Sequence, residues 1–307
     1  MFRLLLVRTV HALFVIWGAV TVIFLALRVV SGDPAALMLG PTATAEQLAD
    51  LREKLGLHQP LWTQYVDYLA QIVRLDFGES VRLGDAALPH ILARTPATLV
   101  LAVAALIVVV ALGVPFGVAA GRRPGGALDR VISTAALVTQ SLPTFWVGIM
   151  LILLLAGHFR VFPSGGAGTP AHLVLPAITL GLPFVALVAR LVRSGVIEES
   201  RQGYVRTAQA KGLSQRVVFY GHVLRNVLVP VVTVLGLVLG QFVGSAVVIE
   251  TVFAWPGLGK LLVESILYRD YAVVQAAVAL IAVVYVVLNL IVDLTYGYLD
   301  PRIRLDS

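Results

Sequence analysis

The chain has no cysteine. That removes disulfides, thiolate metal ligands and cysteine nucleophiles together, and leaves the redox compartment open. Charge is scarce as well, at 13% of 307 residues, about half of what a soluble domain carries. With 59% hydrophobic residues and a mean hydropathy of +0.91, the excess apolar surface has to face lipid. Lysine is confined to Lys54, Lys211 and Lys260, so arginine carries most of the net charge of +6. No G-x-x-x-x-G-K-[ST] loop occurs; Gly257–Lys260 reads GLGK but continues with Leu261 and lacks the upstream glycine, so ATP is not bound in that way. HExxH and GxSxG are missing too, and with them the commonest protease and esterase chemistry. The six histidines are scattered rather than clustered as ligands. No catalytic residue, metal or cofactor is expected on this chain.

What the sequence does have is long apolar runs: Val10–Val30, Ala97–Ala120, Val131–Ala156, Leu173–Ala189, Val227–Ile249 and Ala272–Val292. Each approaches the ~20 residues that cross a bilayer. The first is too long for a signal-peptide core and reads as an uncleaved span. The fourth is the shortest, capped by Arg190 and Arg193. The expectation is an all-α, multi-pass membrane protein with six transmembrane helices. Both ends and the segments after the even-numbered spans hold 14 Arg and Lys, against 8 in the alternate set. By the positive-inside rule both termini are cytoplasmic, and the basic balance reflects topology rather than nucleic acid.

The chain then divides into residues 1–30 (cytoplasmic N-terminus and first span), 31–94 (an external helical loop), 95–298 (a five-helix core) and 299–307 (a cytoplasmic tail). In the external loop Thr44 and Gln47 form a capping-box signal, with Leu48, Leu51 and Leu55 following at helical spacing. A second amphipathic helix follows Pro60, with Leu61, Tyr65, Leu69, Ile72 and Leu75 on one side. The two make a small external cap.

Within the spans, Gly113, Gly117 and Gly121 form a small-residue stripe that permits close helix contact inside this chain. Gly236, Gly240 and Gly244 form another, with pathway lining or contact with a second subunit both open. Pro115, Pro143, Pro176 and Pro183 interrupt spans, as in bundles bent around a cavity. Gln140, Ser141 and Gln241 are candidate pathway residues, with interhelical bonding the equal alternative. After Ile249 comes a Gly-, Pro- and aromatic-rich segment in which Glu250, Phe253 and Trp255 are a candidate external gate; an interfacial aromatic belt is the plainer reading.

The segment Glu198–Pro230 has more structure than a basic anchoring loop needs. It carries Arg201, Arg206, Lys211, Arg216 and Arg225 between two apolar runs. Good helix formers occupy Tyr204–Lys211, Gly212 sits where a helix closes in the left-handed region, and Ser214 can cap a second helix. Tyr204, Ala208 and Gly212 recur every four residues, which puts a nearly bare face beside an aromatic. The expected role is a plug for a protein socket, against the simpler reading of a lipid-facing basic loop. Both ends are tied to the bilayer, which argues against a helix-turn-helix for DNA.

These features together resemble permease subunits of the bacterial dipeptide/oligopeptide/nickel ATP-binding cassette importers, of the dipeptide B type. The resemblance rests on Gly32-Asp33-Pro34, Leu55-Gly56-Leu57 with Gln59-Pro60, Asp76-Phe77-Gly78 with Ser80, and Leu142-Pro143-Thr144-Phe145. It continues in Tyr204-Val205-Arg206-Thr207-Ala208 with Ala210-Lys211-Gly212, His222 with Leu224-Arg225-Asn226, Glu250-Thr251-Val252-Phe253 with Pro256-Gly257-Leu258-Gly259, and Asp300-Pro301-Arg302. General importers have Glu-Ala-Ala, three residues, then Gly; here the triplet is Arg206-Thr207-Ala208, and Arg225 replaces a later Pro. The resemblance implies a type I importer permease fold in the bacterial cytoplasmic (inner) membrane. It further implies a coupling loop over 198–226 that docks on an ATPase through Tyr204, Arg206, Thr207, Ala208, Lys211 and Gly212. The implied partners are a second, homologous permease, two ATPase domains that hold ATP and magnesium, an extracytoplasmic binding protein, and membrane lipid. The competing class is a stand-alone secondary transporter or channel. Such proteins place carboxylates near the midplane, whereas Glu250 and Asp293 fall at span ends.

Overall fold

The structure is a computed structural model that describes residues 2–29, 34–40, 43–54 and 56–299. The motif residues Gly32, Asp33, Leu55 and Asp300-Pro301-Arg302, with the tail beyond Leu299, lie outside the described residues. Most of the described residues are helical, joined by turns and loops, and an isolated antiparallel bridge links Glu79 to Ala86. They form two compact units, residues 1–98 with 256–286, and residues 99–255 with 287–307.

The first unit holds α1 (Phe2–Val29), α2 (Pro34–Leu39), α3 (Ala45–Lys54), α4 (Leu61–Val73) and the start of α5 (Ala87–Arg122). The capping box forms reciprocally: Thr44 N–H donates to Gln47 Oε1 at 3.0 Å and Gln47 N–H to Thr44 Oγ1 at 3.2 Å. The packed face of α4 is not quite the expected one. Leu61 and Leu75 are exposed, while Tyr68 is buried with Val20, Phe24 and Ala279, and Tyr65, Leu69 and Ile72 join them. A stripe through Gln64 and Tyr68 packs better because Leu75 has already left the helix, with φ 58°.

The same unit contains α12 (Leu258–Leu267) and most of α13 (Tyr271–Leu299), joined to the start of α5 by a core of Ala87, Ile91, Leu258, Leu261, Val273, Ala276 and Ala277. Gly257, at the N-cap of α12, has no side chain to satisfy the first amides. Thr98 supplies the acceptor instead, taking the Leu258 N–H at 2.8 Å. Ser80 donates to the buried carboxylate of Asp270, which pins the loop before α5.

The second unit contains the rest of α5, then α6 (Ala127–Ser141), α7 (Thr144–Leu151) with a π-helical continuation Ile152–His158, and α8 (Ala171–Glu199). After these come α9 (Gly203–Ala210), α10 (Gln215–Val218), a π-helical turn Phe219–Val223, α11 (Leu224–Val252) and the end of α13. Among the described residues, five helical stretches are long and apolar enough to cross a membrane. The third expected run, Val131–Ala156, is instead a pair of helices bent by 106° between Ser141 and Thr144. Pro143 forces the residue before it out of the helical region, and Leu142 sits at φ −90°, ψ 136°.

α5 and α8 extend furthest beyond their apolar runs. α5 has 36 residues, about 54 Å at ~1.5 Å per residue, far more than the ~30 Å hydrocarbon thickness. α8 has 29 residues with Pro176 and Pro183 inside it, so it runs past Arg190 and Arg193 rather than ending there.

The first glycine stripe packs internally, as expected. A Cβ at Gly113, Gly117 or Gly121 would press on Val188, Ala189, Val192 or Val196 of α8. The second stripe divides. Gly236 lies against Val292 and Gly240 against Asn289, both on α13, whereas Gly244 faces open space. Only Gly244 keeps an outward role.

Candidate functional site

The segment after α8 forms a tight, well-bonded corner. Arg201 N–H donates to Glu198 O and Gln202 N–H to Glu199 O, which closes α8 before Gly203 starts α9. At the other end Lys211 N–H donates to Thr207 O at 3.1 Å, Gly212 N–H to Gln209 O at 2.9 Å and Leu213 N–H to Ala208 O at 3.3 Å. Gly212 takes φ +80° with nothing within 4 Å of where a Cβ would lie. Its requirement is therefore backbone conformation rather than space. Ser214 Oγ then accepts the Val217 N–H at 3.4 Å and starts α10. Helix, left-handed glycine and serine cap all lie where the residue pattern puts them. The second helix does not stop, however; it continues through the π-helical turn into α11, with Pro230 inside it.

Tyr204 ties α9 to two membrane helices. Its Oη donates to the Glu199 carboxylate at the end of α8 and accepts from Asn226 Nδ2 at 3.0 Å, at the start of α11. Asn226 also donates to Glu199 at 3.4 Å. Partial burial, then the bond to Glu199, push the Tyr204 phenol above its ordinary value, so it stays a donor at neutral pH. A small helix clamped to the ends of α8 and α11 can transmit a push to both.

The expected docking face requires a correction. Ala208 is 9% exposed and Val205 3%, so Ala208 turns inward with Val205, three residues away on the same side of the helix. Arg206, Thr207, Gln209, Ala210 and Lys211 are exposed, as are Leu213, Val217 and Tyr220. The outward surface is basic with apolar residues beside it. Of Tyr204, Ala208 and Gly212 only Ala208 is buried, and with Val205 it makes the packed side of α9, because a short helix on a protein surface buries its apolar pair first.

The candidate gate also changes. Glu250 is 0%, Phe253 1% and Trp255 7% exposed, so their side chains are packed inside the protein and do not form an exposed interfacial belt. Phe253 fills the space beside Gly148 and Thr179, its carbonyl accepts the Gly166 N–H at 2.8 Å, and Trp255 N–H donates to Glu250 O at 2.8 Å. Ala254 takes φ 51° to make that turn. An apolar aromatic beside two chain reversals is better buried than exposed, and a Gly- and Pro-rich composition cannot distinguish the two.

Gln140, Ser141 and Gln241 are all exposed, and among the described residues no hydrogen bond brings Gln241 to the other two. Gln140 Oε1 accepts from Arg190 Nη2 at 2.8 Å, and Ser141 Oγ donates to Leu137 O at 3.0 Å. One pair escaped the residue pattern. Asp129, buried in the first turn of α6, takes Nε and Nη2 of Arg193, the Gly125 N–H at 2.8 Å and the Ser133 hydroxyl at 3.2 Å. Arg193, read as a topology marker, is thus half of a strap between α6 and α8. An acidic residue entering an apolar helix was the available signal.

Comparison with known proteins places this arrangement. The family described as "Binding-protein-dependent transport system inner membrane component" matches residues 113–305, and its N-terminal companion matches residues 1–102. A probable peptide ABC transporter permease of Sinorhizobium fredii is 41% identical over 92% of this chain and 93% of its own. An oligopeptide transport system permease of Bacillus subtilis is 38% identical over 97% and 98%. A glutathione transport system permease of Salmonella choleraesuis is 39% identical over 92% of each. Among solved structures, an inward-facing form of the MetNI methionine ABC transporter shares the fold with a TM-score of 0.58. Its match is 18% identical and covers 68% of this chain and 96% of that one.

Proposed function

The chain belongs to the family of binding-protein-dependent transport system inner membrane components, and from that premise we propose that it is the pore-forming permease of an ATP-driven importer for di- or oligopeptides. The observation that carries the peptide reading is the 38–41% identity, over more than nine-tenths of the chain, to permeases named for peptide and oligopeptide transport. The chain supplies no catalytic group; ATP and magnesium belong to two separate ATPase partners. A second, homologous permease completes the pore, and an extracytoplasmic binding protein delivers the solute. Both termini and residues 198–226 lie in the cytoplasm, and residues 31–94 lie outside.

The coupling site is α9 with its closing turn. Arg206, Thr207, Lys211 and Leu213 meet the ATPase, Gly212 sets the turn, and Tyr204 clamps α9 through Glu199 and Asn226. Movement of the docked helix then passes to α8 and α11 as a rigid-body displacement that biases inward- against outward-facing states. The Asp129–Arg193 pair carries the motion on to α6. Gln140, Ser141 and Gln241 are polar exposed positions on helices of the core and line the pathway.

The test is uptake in proteoliposomes. The chain reconstituted with its copurified partners should accumulate labelled dipeptide on addition of ATP, and the chain alone should not. Accumulation by the chain alone under a proton or sodium gradient would place it with secondary transporters instead.

A further inference from the structure

The first unit carries a half-open cavity of about 670 Å³ that none of the roles above uses. Pockets of roughly 300–1,000 Å³ accommodate small organic ligands. Its wall carries charges of both signs. Arg28 enters from the end of α1, lying 3.7 Å over the Phe24 ring and donating from Nε to Gln64 Oε1 at 3.0 Å. Tyr68 lines it from α4. The residue is 5% exposed, and its hydroxyl is buried with no hydrogen-bond partner. Burial pushes that phenol far above its ordinary value, so it can only be a neutral donor or acceptor. Glu53, Asp67 and Glu79 bring three carboxylates to the same wall. Among the described residues, no ion pair joins Arg28 to any of them.

A buried hydroxyl left unpaired costs free energy that a ligand oxygen can recover. Opposite charges that share a cavity without meeting are best satisfied by one molecule carrying both complements. We propose that this cavity binds a small zwitterion of short-peptide size. Its carboxylate is taken by Arg28 and the Tyr68 hydroxyl, and its ammonium by Glu53, Asp67 and Glu79. The site lies wholly in the first unit and requires no ATPase partner, so it stands or falls separately from the importer reading.

The test uses the full chain in phosphatidylcholine–phosphatidylglycerol nanodiscs and radiolabelled dialanine as the probe. Dialanine should bind saturably. Amidating its carboxyl end or acetylating its amino end should each weaken binding about tenfold, since each removes a charge-assisted contact. Arg28→Gln should weaken dialanine by a similar factor and bind the amidated form as well as the free one. Tyr68→Phe should weaken binding about threefold without lowering the melting temperature, because the hydroxyl it removes is unpaired. If Arg28→Gln fails to fold, Tyr68→Phe and the two blocked peptides carry the test. No saturable binding at millimolar dialanine, equal binding of blocked and free peptide, or unchanged affinity in Tyr68→Phe would overturn the proposal. Saturable binding of radiolabelled phosphoethanolamine, with none of dialanine, would identify a lipid-headgroup site and overturn it too.

Discussion

Substituting alanine along the glycines of α5 and α11 gives a graded test of how the second unit packs. At Gly117 a Cβ would lie 2.6 Å from both Ala189 O and Val192 Cβ, about 1 Å inside carbon–carbon contact distance. The clash is with backbone, so α5 and α8 would have to part. Overpacking of this kind costs about 1–3 kcal/mol, against a helix-propensity gain of about 1 kcal/mol for alanine over glycine. Gly117→Ala should therefore be neutral to destabilising by about 2 kcal/mol. At Gly244 nothing lies within 4 Å, so Gly244→Ala keeps the propensity gain of about 1 kcal/mol. Gly121 and Gly113, whose nearest contacts would be 2.8 and 3.0 Å, should fall between, in that order. The assay is thermal unfolding of the four single variants in one detergent, followed by tryptophan fluorescence. Gly117→Ala as stable as Gly244→Ala would refute the close approach of α5 and α8.

Further substitutions have equally definite outcomes. Phe253→Ala should lower stability by about 3–5 kcal/mol, read as a fallen melting temperature; a normal melting temperature with leaky uptake would restore the gate reading. Ala208→Trp should loosen α9 and expose it to limited proteolysis, because Ala208 packs inward. Lys211→Glu should leave proteolysis unchanged and reduce ATPase copurification; the reverse pattern would mean that Ala208 faces the partner. Cysteines introduced singly at Ala49 and Gly166 should react with an impermeant maleimide in intact cells, and one at Ser214 should not. Labelling at 214 but not at 49 would invert the topology.

The residue pattern revealed those features that local chemistry decides. The Thr44–Gln47 box, the left-handed Gly212, the Ser214 cap and the first glycine stripe each follow from the conformational demands of a few adjacent residues. Apolar length located the spans, while the 106° bend at Leu142-Pro143 and the greater length of α5 and α8 change their description. Where the pattern ran out, the deciding partner was distant in sequence. Arg193 looks like a membrane-edge marker until Asp129, 64 residues away, is placed against it. Ala208 looks like an exposed bare face until the body of the unit covers it. Glu250, Phe253 and Trp255 resemble an exposed aromatic segment because composition records polarity, not which side of a turn meets the protein. Spacing marks Tyr204 as a helix-edge aromatic, but its clamp on Glu199 and Asn226 depends on how α8 and α11 converge.

The central claim is that α9 docks on a separate ATPase. Because the chain has no native cysteine, Leu213→Cys, on the exposed turn after α9, provides a single reporter. Native membranes carrying this variant should be treated with a short cysteine-to-lysine cross-linker and then photolabelled with an azido-ATP analogue. Docking should yield one cross-linked species that contains this chain and carries the nucleotide label, and that species should be lost when Lys211 is also changed to Glu. A position-213 cysteine that is fully modified by maleimide yet forms no nucleotide-labelled adduct, in membranes that still take up dipeptide, would contradict it.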